Sequence, residues 1–344
     1  MIDIDGSEGE GGGAILRVAT SLSAITCKPV KIFNIRKGRS QPGLKTQHLE
    51  SIRVLAEICG AELKGAELGS TEIEFIPKQI EPKNIQASIA TAGSPGLLFQ
   101  NIKIPASLGE GETTINVKGG AVCGLGAPPI PYLQRISLPT FEKFGYKSSA
   151  EIKKYGFYPA GGAETEFKIQ PWKERKPISL LDRGEIKTVG GISIASVHLK
   201  SSQVAERQAK SASHALSRFK PLITTRYVES INPGSLIVLW ATTSTGCILG
   251  ADVLGERKKS AEVVGEEAGR NMLKTIGSKT TVDPHLSDQL LIFMSLVKGK
   301  SEFTTRELTK HAETNMWVIK KFLDVDFKVE KLLNGVKISC GKLV

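Results

Sequence analysis

Apolar positions along the 344-residue chain switch between helical and strand spacing in an order that recurs. The segments GGGAILRVATSLSAI (11–25), AGSPGLLFQNIKIPASL (92–108) and HLSDQLLIFMSLVKG (285–299) each run from small or cap-type residues into an apolar helix. A strand-like stretch follows each one: PVKIFNI (29–35), ETTINVKG (112–119) and SEFTTR (301–306). Second helices are predicted within 43–60, 128–145 and 309–323, the first two stopped by glycine. Alternating stretches such as TEIEFIP (71–77), ETEFKI (164–169) and VKISC (336–340) then close each set. The order reads as a βαβαββ unit occurring three times, over about 1–80, 84–170 and 279–342.

Residues 182–278 fit none of these copies. Three alternating strands (GGISIASVHL, GSLIVLWATT, GCILGADVLG) and two amphipathic helices (SQVAERQAKSASHALSRF, KSAEVVGEEAGRNMLKTI) predict a small α/β domain inserted into the array. The expected class is therefore α/β (α+β). A three-repeat domain over 1–181 and 279–344 would be interrupted by the insertion at 182–278.

Composition narrows the function classes. No apolar run reaches the roughly 20 residues of a membrane span, and the acidic, Gly-rich start is unlike a secretory signal, so a soluble cytoplasmic protein is expected. The formal net charge of +11 favours polyanionic partners, although a solvated basic surface would carry the same charge. The five cysteines are scattered, without a CxxC pair, which fits reduced thiols and argues against a zinc site. Any metal should then be oxygen-ligated.

Four polar constellations stand out. GSEGEGGGAILR (6–17) brings five glycines and Glu10 to a helix start, fitting either a phosphate cradle or a plain turn. It is neither a GxxxxGK[ST] loop nor a GxGxxG after a strand, and a carboxylate there makes chemical sense with a divalent cation bridging it to phosphate. NIRKGRSQPGLKTQHL (34–49) gathers Arg36, Arg39, Gln47 and His48 before a helix, as an anion-binding loop or a solvated turn. HLSDQLL (285–291) groups polar residues at another helix start, where Ser287 or Asp288 could simply be the cap. His311 falls in the first turn of a third helix, where the helix dipole disfavours a protonated ring. On residue chemistry alone it is as well read as a polar cap-region residue.

DGSEGEGGGAILR (5–17), IRKGRSQPGLKTQHL (35–49), ATAGSPGLLFQ (90–100), YGFYPAGG (155–162), GERKKSAEVV (255–264), LSDQLL (286–291) and HAETN (311–315) together resemble the RNA 3′-terminal phosphate cyclases. The resemblance runs from Asp3 to about Val336. It implies three repeats related to the enolpyruvyl transferase repeat, and ATP-dependent conversion of an RNA 3′-phosphate to a 2′,3′-cyclic phosphodiester with release of AMP and diphosphate. It implies a covalent AMP adduct on His311, a divalent metal (magnesium or manganese) on Glu10, and Arg17, Arg36, Arg39, Gln47 and His48 around the phosphate and RNA end. ATP is expected against Gln100, Pro128 and the run His285, Leu286, Ser287, Asp288 and Gln289, with Pro128 packing on adenine. Two positions depart from the pattern: His285 stands where some relatives place a stacking tyrosine, and Asp252 stands near an aromatic of others. The partners implied are ATP and RNA with a 3′-phosphate end. The oligomeric state stays open between monomer and homodimer. Rival readings are a non-catalytic paralogue in ribosomal RNA processing, an enolpyruvyl transferase, and an enzyme adenylating other phosphorylated ends.

Overall fold

The computed structural model describes residues 1–124 and 126–342. Its first sheet is built by β1 (Ile2–Asp5), β2 (Val30–Phe33), β3 (Glu62–Lys64) and β4 (Ile73–Ile76), in the order β1-β2-β4-β3. β1 and β2 pair in parallel across helix α1 (Gly13–Thr26), and the β2–β4 and β3–β4 pairs are antiparallel. Helix α2 (Thr46–Cys59) follows β2 and buries Ile52, Leu55 and Ile58.

A second sheet repeats those directions. β5 (Asn84–Ile89), β6 (Thr113–Gly119), β7 (Ser148–Lys154) and β8 (Glu164–Ile169) run in the order β5-β6-β8-β7, parallel only in the first pair. Helix α3 (Pro95–Ile102) crosses from β5 to β6, capped by the Ser94 hydroxyl accepting from the Leu97 N–H. The next helix was expected to be regular through 128–145, yet it forms α4 (Ile130–Tyr132), a wide π turn (Leu133–Ser137) and α5 (Leu138–Glu142). Pro139 has no N–H to offer the Arg135 carbonyl, so the turn before it opens.

The short strand β9 (Ser179–Leu180) precedes the inserted segment. Within that segment β10 (Ile186–Ser196), helix α6 (Val204–Ala215), β11 (Leu222–Val228), β12 (Ser235–Thr243), β13 (Ile248–Leu254) and helix α7 (Ala261–Gly277) form a sheet of order β11-β10-β12-β13. Edge strand β11 has no place in the sequence reading because LITTRYV is largely exposed and shows no alternation. Leu239, Ala251, Val253, Val264, Ala268 and Met272 make a core separate from that of the rest of the molecule.

The last sheet takes β9, β14 (Ser301–Thr305), β15 (Val325–Leu332) and β16 (Gly335–Lys342), in the order β15-β16-β14-β9. β9 and β14 are parallel, and helices α8 (Pro284–Leu296) and α9 (Lys310–Phe322) fall in the places of the crossing and following helices. This set of elements therefore begins at 179, ahead of the insertion, and not at 279. A two-residue strand is too short to leave a period in the sequence. The fold is mixed α/β: four small mixed sheets, with helices packed on them.

One carboxylate ties the insertion to the rest. Asp283 caps α8 by accepting from the His285 and Leu286 N–H groups at 3.0 Å. It also accepts from the Tyr132 hydroxyl at 2.7 Å and the Gly250 N–H of β13 at 3.0 Å. Gly250 permits this approach, because a Cβ there would run into the Tyr132 ring.

Candidate active site

α1, α3, α8, α9, the residues Gly124, Gly126, Ala127 and Pro128, and the 182–278 segment converge on a cavity of about 370 Å³. It is lined by Arg17, Gln100, Pro128, His285, Asp288, Gln289 and His311 among the expected residues. Lys103, Asp252, Glu256, Lys259, Glu267 and Asn315 also line it and were not expected as site residues.

His311 is the second residue of α9, which Thr309 caps by accepting from the Ala312 N–H at 3.0 Å. Burial holds its pKa below the usual histidine value, and the charges of Arg17, Arg39 and His285 push the same way. The ring is therefore neutral at physiological pH, with a lone pair free for attack. Its Nδ1 lies 3.9 Å from Glu10 Oε2. Glu10 is held in turn by α9, since its N–H donates to Thr314 Oγ1 at 2.9 Å. Its Oε1 is paired with the Arg39 guanidinium, while Oε2 is buried without a hydrogen-bond partner among the described residues.

That orphaned oxygen fits an oxygen-preferring cation. Among the described residues no group of three or more His, Cys, Asp or Glu could enclose an ion. Glu10 could supply one protein ligand, the manner in which magnesium is held beside phosphates.

His48, Arg17 and the start of α1 meet around Gly13, where a Cβ would lie 2.6 Å from His48 Nε2 and 2.9 Å from an Arg17 nitrogen. Burial drives the His48 pKa down to about 3, with Arg17, Arg36 and Lys45 adding repulsion. Its Nδ1 accepts from the Lys45 N–H at 3.2 Å, so Nε2 carries the proton and is a donor toward α1. Burial lowers the Arg17 pKa to about 10 against the opposing charge of Asp288, leaving the guanidinium protonated at neutral pH.

On the other wall Gln100 Nε2 donates to Gln289 Oε1 at 2.8 Å, and Ser137 donates to the same oxygen at 2.9 Å. Gln289 Nε2 donates to the His285 carbonyl at 2.8 Å. Lys103 donates to Gln100 Oε1, which orients that amide, and its ammonium sits over the Phe141 ring at 4.8 Å. Burial brings the Lys103 pKa down to about 7 and lifts that of Asp288 to about 6. Each also tempers the other's shift by its charge.

Several expected residues lie off the cavity wall. Leu286 is fully buried in the core, and Ser287, also buried, turns its hydroxyl to the Pro284 carbonyl at 2.8 Å, because helical spacing aims them away from His285 and Asp288. Arg36 donates to the Gln41 and Gly43 carbonyls at 2.7 and 2.9 Å, so it pins its own loop. Gln47 accepts from the Ser94 N–H at 3.1 Å and fixes the start of α3. Glu10, Arg39 and His48 are also off the cavity wall: Glu10 lies next to His311, Arg39 is paired with Glu10, and His48 packs at Gly13. Lys103 and Asn315 were legible in principle, three residues after Gln100 and four after His311 on the same helix faces. Asp252 was marked only as a departure from the family pattern, because the 182–278 segment meets the other cavity residues only in three dimensions.

A neutral histidine beside a lone carboxylate and two arginines, at the mouth of a cavity of nucleotide size, is the equipment of a phosphate-handling enzyme. A sequence model of the family described as RNA 3′-terminal phosphate cyclase matches residues 8–329. A protein of that name from Thermococcus onnurineus is 44% identical over 333 residues, covering 96% of each chain. Others of the same name, from Pyrococcus abyssi and Methanopyrus kandleri, are 42% and 40% identical, over 96% of this chain and 97% and 95% of their own. The chain belongs to the RNA 3′-terminal phosphate cyclase family.

Proposed function

We propose that this chain converts an RNA 3′-terminal phosphate to a 2′,3′-cyclic phosphodiester at the cost of ATP, through an AMP adduct on His311. The observation that carries this reading is the neutral His311 ring beside Glu10, Arg17 and Arg39 at the cavity mouth. A ring nitrogen attacks the α-phosphorus of ATP, an N–P bond forms, and the bond to diphosphate breaks. Arg17 and Arg39 face the charge that develops on the phosphate oxygens. When bound at Glu10, a divalent cation (magnesium or manganese) would neutralise triphosphate charge.

An oxygen of the RNA 3′-phosphate then takes the AMP from His311, breaking the N–P bond. The neighbouring 2′-hydroxyl attacks the activated phosphorus, losing its proton, and AMP leaves. Both groups of this last step sit on one ribose, so proximity supplies most of its rate. His48, donating through Nε2, and Gln47 belong to the side where the RNA end would enter. Gln100, Pro128, His285, Asp288 and Gln289 would hold the nucleoside.

The shared strand order and pairing directions of three sheets support reading the chain as three copies of one βαβαββ unit. The third copy would be opened after β9 by the 182–278 domain, whose separate core supports treating it as a unit. No helix among the described residues is long and apolar enough to cross a membrane.

ATP labelled at the α-phosphate should leave label on the protein, and His311→Ala should abolish it. Retention of label by that variant would remove His311 from the mechanism. Cyclisation is read as a phosphatase-resistant oligoribonucleotide end with release of AMP.

A further inference from the structure

The 182–278 segment brings the carboxylate of Asp252 to the cavity wall, beside those of Glu256 and Glu267. Along β13, Ala251 and Val253 face the insertion's own core, which leaves Gly250, Asp252 and Leu254 on the opposite face. Gly250 on that face meets Tyr132, and Asp252 lines the cavity. Neighbouring carboxylates have partners: Glu256 and Glu267 share Lys259 at 3.7 and 2.6 Å, and Asp283 accepts four hydrogen bonds. Asp252 makes no side-chain hydrogen bond or ion pair among the described residues, and burial lifts its pKa to about 6. A half-buried carboxylate on a cavity wall, with no donor of its own, is open to accept from a ligand that brings one.

The cavity is electrically divided. Arg17 and Arg39 both bear on His311, whereas the charges that bear on Asp252 are chiefly those of His285 and Asp283. His285 acts on His311, Asp288 and Asp252 alike and stands between the two ends. A triphosphate belongs with the arginines and would be repelled by Asp252. The ribose, next along the nucleotide, comes between. What reaches Asp252 is the base; Gly126, Pro128 and Leu254 of the same lining carry no donor side chain, and Lys259 is engaged by Glu256 and Glu267.

The geometry points to Asp252 as the specificity-determining residue that accepts a hydrogen bond from the exocyclic amino group of the bound nucleobase. This rests on the nucleotide reading of the cavity given above. A charge-assisted hydrogen bond of about 1.5–3 kcal/mol corresponds to roughly 10- to 100-fold in affinity.

The test compares equilibrium binding of three ligands by calorimetry: ATP, purine riboside triphosphate (ATP without the 6-amino group), and 2′-deoxy-ATP. The wild-type protein should bind ATP at least about tenfold more tightly than the amine-free analogue. Asp252→Ala should lose that preference by weakening ATP alone. Asp252→Asn, which keeps an acceptor oxygen and the shape, should retain part of it. Equal affinity of the wild-type protein for ATP and the amine-free analogue overturns the assignment, and this arm needs no variant to fold. An Asp252→Ala variant that keeps its preference for the amine, or loses discrimination against the 2′-deoxy sugar instead, also overturns it. Absence of binding by any of the three nucleotides would instead strike the nucleotide reading itself.

Discussion

His311 holds a neutral ring because three effects point the same way: partial burial, the positive end of α9, and the cations Arg17 and Arg39. Protonation must overcome all of them, so its pKa lies below the usual 6.5. The rate of self-labelling by ATP should accordingly stay level as pH falls through 6.5 and decline only below it. Asp288, titrating near 6 in the same cavity, adds its own limb, and the Asp288→Asn profile separates the two. A histidine limb with its midpoint at or above 6.5 would contradict the environment described here. The sequence placed His311 at a helix start, which accounts for the dipole. Burial and the approach of Arg39, 272 positions away in the chain, come from the fold.

Helix α9 does more than present His311. One turn on, Thr314 Oγ1 accepts from the Glu10 N–H and donates to the Lys310 carbonyl at 2.7 Å, so the Gly-rich loop is fastened to the histidine helix. Thr314→Val keeps the shape and leaves the Glu10 N–H unpaired. The expected loss is about 1–3 kcal/mol in denaturant unfolding, together with slower self-labelling as Glu10 drifts. Unchanged stability and labelling would show that the loop is held by other contacts. Most helices and strands were legible because their faces are amphipathic: α1, α2, α8 and α9 fall within a few residues of the expected spans. The exceptions have physical causes. β9 is two residues long, β11 is an exposed edge, and the turn before Pro139 depends on a missing N–H rather than on periodicity.

At the scale of the whole molecule, the buried Asp283 links β13 of the 182–278 segment to Tyr132 and to the start of α8. Tyr132→Phe removes one of its four donors while leaving the ring in place. Unfolding measurements should show a loss of about 1–3 kcal/mol, and nucleotide affinity should fall because Gly250, two residues before Asp252, shares that carboxylate. A change within about 0.5 kcal/mol would mean that the remaining three donors suffice.

Periodicity, glycine punctuation and local motifs determined the mixed α/β class and the family of the chain. Those properties depend on neighbours within a helix or strand, and neighbours in sequence carry them. The resemblance to the family, not periodicity, brought His311, Glu10, Arg17, Gln100 and Asp288 forward as candidates. Only the tertiary structure decided which candidates share a cavity: it drew Arg36, Leu286 and Ser287 away and brought Lys103, Asn315 and Asp252 in. Desolvation and charge act through space, so the neutral His311, the orphaned oxygen of Glu10 and the unpartnered Asp252 arise only when distant segments close over one another.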